Sequence, residues 1–404
     1  MPPANATATC NGTSCGFTCT GTTTLCSGAC VQTASDPLNC GSCGHSCQGG
    51  TCSGGVCQPL SLVSQPISAF NLVNAQLSDT SLYVYISVDP GGSQPYELWQ
   101  IPINGSGNAV RVCVGIPPFN GNVAIGNGTV FWNQPAASGQ GFDVVSSPVV
   151  GCNPANPKHL FATPRSFGTD FVADGPFYDP TTSEVIWLEQ DNIVVPQKRL
   201  MRSAAAGGTP RQITMFTYGG DFLPFFFVPA QGTPQRLFWT EGRGTVNVGG
   251  VPTAMYALLY VATNLTGSTP ILISGPAPGN PLLDGNAVLL ANDNNVIWSE
   301  IQTGIAPLPN GIAGGGMAPN FVTPPNAVRL GTIDATTLYG TFSSLTPGTI
   351  AKCSIASCSP TALVSGQSAA TWFLQDASSI YWVNMVLGIS PTSADALSAT
   401  RLAK

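Results

Sequence analysis

Three glutamates fall at one repeated offset: Glu189, Glu241 and Glu300 each lie two residues past a tryptophan, at Trp187, Trp239 and Trp298. If the three phrases are equivalent strand ends, the carboxylates form an arc beside one mouth of the fold. Clustered oxygen ligands of this kind suit a cation such as calcium, or the hydroxyls of a sugar. The same placement has a structural reading, in which each Glu accepts hydrogen bonds from a neighbouring loop and stitches adjacent repeats together. Asn133 lies one residue early in an equivalent phrase and Asn384 lies in register. Other chemistry fails on inventory. His45 and His159 are the only two histidines, and neither sits near a credible nucleophile, so Ser-His-Asp and Cys-His arrangements are not supported. Two histidines also exclude a histidine-based metal cluster. Gly12-Thr13-Ser14-Cys15-Gly16 has the letters of a nucleophile elbow but lies among cysteines, not between a strand and a helix. A phosphate-binding glycine loop is absent.

The elements that would position these glutamates recur along the chain. An apolar run leading into an aromatic appears as Val130-Phe131-Trp132, Val185-Ile186-Trp187, Leu237-Phe238-Trp239, Val296-Ile297-Trp298 and Ile380-Tyr381-Trp382. Degenerate copies stand at Leu82-Tyr83-Val84-Tyr85 and Leu338-Tyr339-Gly340-Thr341, making seven. In several copies a short strand ending in Asp precedes the phrase, as at Asp79, Asp334 and Asp376. An Asp there caps the turn by bonding the backbone two residues on. The spacing is that of four-stranded blades, so an all-β, seven-bladed β-propeller over 59–404 is expected. Residues near 60–65 carry the same pattern as the fourth-strand phrase Pro360-Thr-Ala-Leu363-Val364-Ser365. They are expected to complete the last blade, which otherwise has an unpaired edge. The tryptophans are expected to pack between blades. The glycine- and proline-rich stretches at about 242–255 and 301–320 should be long loops on the glutamate face, where recognition resides on such scaffolds.

Composition narrows the class. Only 8% of residues are charged, with 46 Gly and 35 Pro, and the formal net charge is −6. A nucleic-acid partner is excluded, because its phosphates call for a clustered basic surface and the 13 Lys and Arg are scattered. Apolar residues come in short bursts, none long enough for a membrane-spanning helix. Of 14 cysteines, ten lie between Cys10 and Cys57: Cys10, Cys15, Cys19, Cys26, Cys30, Cys40, Cys43, Cys47, Cys52 and Cys57. That density indicates disulfides and an oxidising compartment. Zinc is the alternative, with Cys40-Gly-Ser-Cys43 as its best fragment, but a second matching pair is missing. Pairing within the ten cannot be read from spacing. Cys353 and Cys358 should bridge a hairpin, and Cys113 and Cys152 two adjacent blades. Met1-Pro2-Pro3 has neither a basic nor an apolar leader region, so a signal segment is expected to be absent from this chain.

Residues 1–58 have too few large apolar side chains for a core, so crosslinks must hold them. Within them Cys26-Ser-Gly-Ala-Cys30, Asp36-Pro37-Leu38-Asn39-Cys40-Gly41-Ser42-Cys43-Gly44-His45-Ser46-Cys47 and Cys52-Ser-Gly-Gly-Val-Cys57 resemble the stigma-specific cysteine-rich family over some 32 residues. The remainder is similar in rhythm to propeller repeats of bacterial exported proteins. These resemblances imply a secreted or surface protein and no catalysis. The expectation is a non-enzymatic binding protein for a glycan or surface protein. A carbohydrate-active or lyase-type enzyme using acidic residues at the channel mouth, and a purely structural surface protein, are the alternatives.

Overall fold

The computed structural model describes residues 1–67, 71–78, 80–87, 96–117, 123–135, 142–160, 174–191, 197–217, 228–229, 236–248, 251–262, 271–274, 288–291, 295–299, 303–307, 320–322, 328–342, 344–367, 370–386 and 395–404. They form an all-β protein of the β-propeller type. Among the described residues are seven four-stranded antiparallel sheets, each built from strands consecutive in sequence except the last.

Sheet one comprises Asn71–Leu77, Ser81–Ser87, Tyr96–Pro102 and Val110–Ile116. The second strands of the following sheets are Thr129–Pro135, Glu184–Asp191, Arg236–Val248, Asn295–Ser299, Thr337–Phe342 and Ser379–Val386, which carry the aromatic phrases. First strands of successive sheets lie side by side at several junctions, including the last sheet against sheet one. A second strand is therefore covered by a neighbouring sheet on each face. Its apolar residues run on without alternation, and every residue of Ser81–Ser87 is buried. Trp132, Trp187 and Trp382 are fully buried in this layer. Close packing between sheets also fixes small residues: a Cβ on Gly126 would lie 2.1 Å from the Tyr178 ring of the next sheet.

Turns between first and second strands follow the expected aspartate chemistry. Asp334 Oδ1 accepts the N–H groups of Thr336 and Thr337 at 3.0 and 2.8 Å. Asp376 Oδ1 accepts those of Ser378 and Ser379 at 2.7 and 2.8 Å, and Asp179 that of Thr181 at 2.9 Å. Sheet one departs from the pattern. Ser78 holds the equivalent position, its N–H bonded to Ser81 O at 2.9 Å, and Asp79 lies outside the described residues.

The seventh sheet consists of Ala370–Gln375, Ser379–Val386, Asp395–Ala403 and, from the other end of the chain, Leu60–Ile67. Ser64 pairs with Ser398 and Leu60 with Arg401. This junction has its own core, with Leu62, Leu82, Val84, Trp99, Tyr381, Val383 and Leu397 in one buried cluster.

All fourteen cysteines are paired. The bonds are Cys10–Cys15, Cys19–Cys30, Cys26–Cys43, Cys40–Cys52, Cys47–Cys57, Cys113–Cys152 and Cys353–Cys358. The last crosses the hairpin between Ile350–Ser354 and Ser357–Val364. Seven disulfides mark an oxidising, extracytoplasmic environment. The sulfurs of Cys40, Cys47 and Cys57 come together, but as members of two cystines they are not thiolate ligands. Apart from Gly50, every residue buried within 1–58 is a cysteine. In the Asp-Pro-x-Asn-Cys-Gly stretch, Asp36 accepts the Leu38 N–H at 2.8 Å and the Asn39 amide at 3.1 Å. Asn39 Oδ1 in turn accepts the Gly44 N–H at 2.9 Å. Gly41 is required by close approach, since a Cβ there would stand 2.5 Å from Gly55 O.

Two outcomes are expected. Deleting residues 59–66 strips the outer strand from the seventh sheet and should lower stability by several kcal/mol, read by thermal melting. Acid should destabilise the turns. Burial pushes the carboxyls of Asp334 and Asp376 up, but bonds from Thr336, Thr337 and Lys404 on one, and from Tyr381, Ser378 and Ser379 on the other, outweigh it and hold both below the usual range. Groups depressed in the folded state stabilise above their unfolded value of about 4 and lose that contribution as pH falls through the folded one. The Asp334→Asn, Asp376→Asn variant should melt lower at pH 7 and show a shallower acid decline.

Candidate functional site

Successive strands run up and down each sheet, so the first–second and third–fourth turns gather on one face and the second–third turns on the other. The glutamate phrases end at the second–third turns. Glu189 is near the end of Glu184–Asp191 and opposite Arg199 of Gln197–Ala204. The residue is 3% exposed. Oε1 accepts the Trp187 indole N–H at 3.1 Å, and Oε2 accepts an Arg199 guanidinium N–H at 2.8 Å. The offset of two explains this geometry, because residues i and i+2 share one side of a strand. Both oxygens are thus engaged, one by a cation that the protein itself supplies. The structural reading of Glu189 fits these contacts, with a side-chain indole and a guanidinium as donors in place of loop backbone. Glu241 lies in Arg236–Val248, with its backbone opposite Ala257, and Glu300 lies outside the described residues.

The unit recurs in sheet one, in reverse order. Trp99 donates its indole N–H to Glu97 Oε2 at 3.0 Å and Arg111 from the outer strand reaches Glu97 Oε1 at 2.8 Å. Sequence reasoning missed it, although Glu97-x-Trp99 shows the same i, i+2 spacing. Where that spacing is lacking, the indole does less well. Trp132 has Gln134 two residues on, and its buried Nε1 finds no partner among the described residues. Trp382 is served instead by Gln367 Oε1 at 3.3 Å. Asn133 donates to Gly175 O of the next sheet at 2.7 Å and Asn384 to Ser398 Oγ at 3.1 Å.

The buried carboxylates among the described residues are Glu97, Asp179, Glu184 and Glu189. Glu184 is flanked by Arg202, 3.3 Å away, and by Arg211, and Asp179 caps its turn. His159 Nδ1 lies 3.2 Å from Asp143 Oδ2 on a largely exposed edge strand. Among the described residues no hydroxyl or thiol is bonded to its ring.

What distinguishes the second–third face is a hairpin. Residues 242–255, expected as a loop, are for the most part strand: Arg236–Val248 and Val251–Ala262 pair as far as Val248 with Val251. The equivalent strands of sheet three are eight residues each, against 13 and 12 here. Measured from the tryptophan, Arg236–Val248 continues about five residues further, or roughly 16 Å. Beta-branched Thr245, Val246, Val248 and Val251 favour extended pairing over a loop. Most of 301–320 lies outside the described residues, though Thr303–Pro307 is a strand.

No family model matches the chain, and no curated protein matches it. Among solved structures it is similar to polysaccharide lyase Uly1, with 8% identity over 81% of this chain and 89% of that one, at a TM-score of 0.48. It is also similar to the β-propeller domain of the Trilobed protease from Pyrococcus furiosus, with 5% identity over 81% and 93%, at 0.47. The WD40 β-propeller domain of Doa1 matches with 8% identity over 86% and 97%, at 0.45. A prolyl endopeptidase structure matches at 14% identity and 0.42, and there the chain spans 45% of the other's length. At these identities no activity carries across.

Glu189→Ala should destabilise the protein by about 2–4 kcal/mol, since it strands a partly buried guanidinium and a buried indole N–H. Glu189→Gln keeps an acceptor for Trp187 and should cost less. Denaturant unfolding of both variants checks the order.

Proposed function

We propose that this is an exported, non-enzymatic binding protein, whose seven sheets form a closed seven-bladed ring behind a stigma-type cysteine-rich module and which recognises a glycan or a surface protein through its second–third face. The observation that carries the proposal is the extended hairpin Arg236–Ala262 on that face. A rigid scaffold with one ribbon reaching well past its neighbours is the arrangement by which binding surfaces are commonly presented. The cysteine-rich segment contacts the opposite face, leaving this one to a partner. Support for binding over catalysis comes from the buried carboxylates among the described residues, each neutralised by arginine or used to cap a turn, as described above. Glu189 then serves the face by fixing the strand end beneath it.

The test compares the intact chain with one in which residues 243–254 are replaced by a two-residue Asn-Gly turn. Both are screened on a polysaccharide and glycan array and against cell-envelope protein fractions. Binding by the intact chain, lost on truncation with the melting temperature retained, is the expected result. Equal binding by both proteins removes the hairpin from the proposal. Depolymerisation of a polysaccharide by the intact chain replaces it with the enzymatic alternative, and silence throughout favours a purely structural surface protein.

A further inference from the structure

The cysteine-rich segment is fastened to the one place where the two ends of the chain meet. Cys40, Cys47 and Cys57 share a buried cluster with Tyr339, Ile350, Phe373, Trp382 and Leu402 of sheets six and seven. The two ring nitrogens of His45 face the carbonyl oxygens of Cys40 at 2.6 Å and Lys404 at 2.9 Å. Arg401 makes a three-way tie. It donates to Gln48 Oε1 at 3.3 Å, to Ser379 Oγ at 2.9 Å and to Ile103 O, just past the third strand of sheet one, at 3.1 Å, with its guanidinium over the Tyr381 ring. Leu60, which opens the seam strand three residues after Cys57, is wedged against Gly49 and Gly105. A Cβ on either would come within 3.3 and 3.1 Å of its Cδ2.

The segment has no apolar core that could hold this docking surface without its cystines. Leu25, Leu38 and Val56 are 53%, 67% and 55% exposed, and the buried side chains are half-cystines. Without Cys40–Cys52 and Cys47–Cys57 the His45 and Gln48 contacts lose their backbone frame, and residues 47–60 become a flexible tether. We propose that the segment is a clasp set by oxidation: the seam strand Leu60–Ile67 is locked onto Asp395–Ala403 only when these two cystines have formed. Forming each cystine gives up two electrons and two protons from a pair of thiols to a disulfide oxidant such as oxidised glutathione, which becomes two thiols. Once set, the clasp is shielded by the ring it closes, since Cys40, Cys47 and Cys57 are at most 6% exposed, whereas Cys10 and Cys15 are open to solvent.

This inference rests on the closed ring proposed above, and one experiment separates the two. The full chain is treated with graded dithiothreitol. Cystine state is followed by mass mapping and amide protection of 60–67 by hydrogen exchange. Cys10–Cys15 should be reduced early with no change at 60–67. Exchange there should rise about tenfold or more in step with reduction of Cys47–Cys57. In His45→Ala, Gln48→Ala, with all seven cystines retained, exchange at 60–67 should rise to a smaller extent. If 60–67 stays protected after Cys40–Cys52 and Cys47–Cys57 are reduced, or if the double variant exchanges as the wild type does, the clasp is overturned while the ring stands. If 60–67 is unprotected in the oxidised wild type, the ring closure itself fails.

Discussion

Among the described residues, the sheets of this protein depend on their neighbours for cover. A second strand with apolar residues on both sides cannot face water on either, so no single sheet is stable by itself and the stack has no natural place to stop. Burial of Trp132, Trp187 and Trp382 between sheets expresses that constraint. At the seventh sheet Leu60–Ile67, from the start of the chain, supplies the outer strand, and in the proposed ring this is what ends the stack. The same junction draws on both ends for its core, with Leu62 and Leu82 against Tyr381 and Leu397.

So tight a stack leaves polar groups at the junctions with few options. With 8% of residues charged, most gaps are filled by hydrocarbon, and the carboxylates that remain inside must be satisfied locally. Glu97 and Glu189 solve this in the same way, each with an indole donor two residues along its own strand and an arginine on the adjacent one. Each unit spends one charge pair to satisfy a buried Trp N–H, and replacing only one member leaves an uncompensated group. A shared offset between Trp and Glu is therefore the expected result of strand geometry and does not by itself indicate a ligand.

The all-β, propeller-type fold was legible because its signals are local. The aromatic phrases mark the second strands, Asp334 and Asp376 mark the turns that follow the first, and the match between 60–65 and 360–365 points to the strand that crosses from one end to the other. Pairing of Cys353 with Cys358 follows from a hairpin of fixed length. What the sequence did not reveal is set by contacts between residues far apart in the chain. Nothing near His45 announces Lys404, and nothing near Gln48 announces Arg401. The role of Glu189 was half legible: the spacing to Trp187 was plain, but Arg199 enters from the next strand at ten residues' distance. Residues 242–255 read as a loop because their four glycines and Pro252 outweighed the beta-branched residues between them, whereas cross-strand pairing outweighed both.

The hairpin and the seam differ in charge, and on the binding proposal this bears on how a partner would be recognised. One face carries the cysteine-rich segment with the arginine, histidine and aspartate ties of the seam. On the other, the hairpin carries Glu241 and Arg243 near its base and no Asp, Glu, Lys, Arg or His from Gly244 to Ala262. A ribbon whose outer part is uncharged steers a partner weakly over distance, so association there would respond little to salt. On the binding proposal, the hydroxyl-rich surface of a neutral glycan or an uncharged strand of a surface protein suits that chemistry better than a polyanion does.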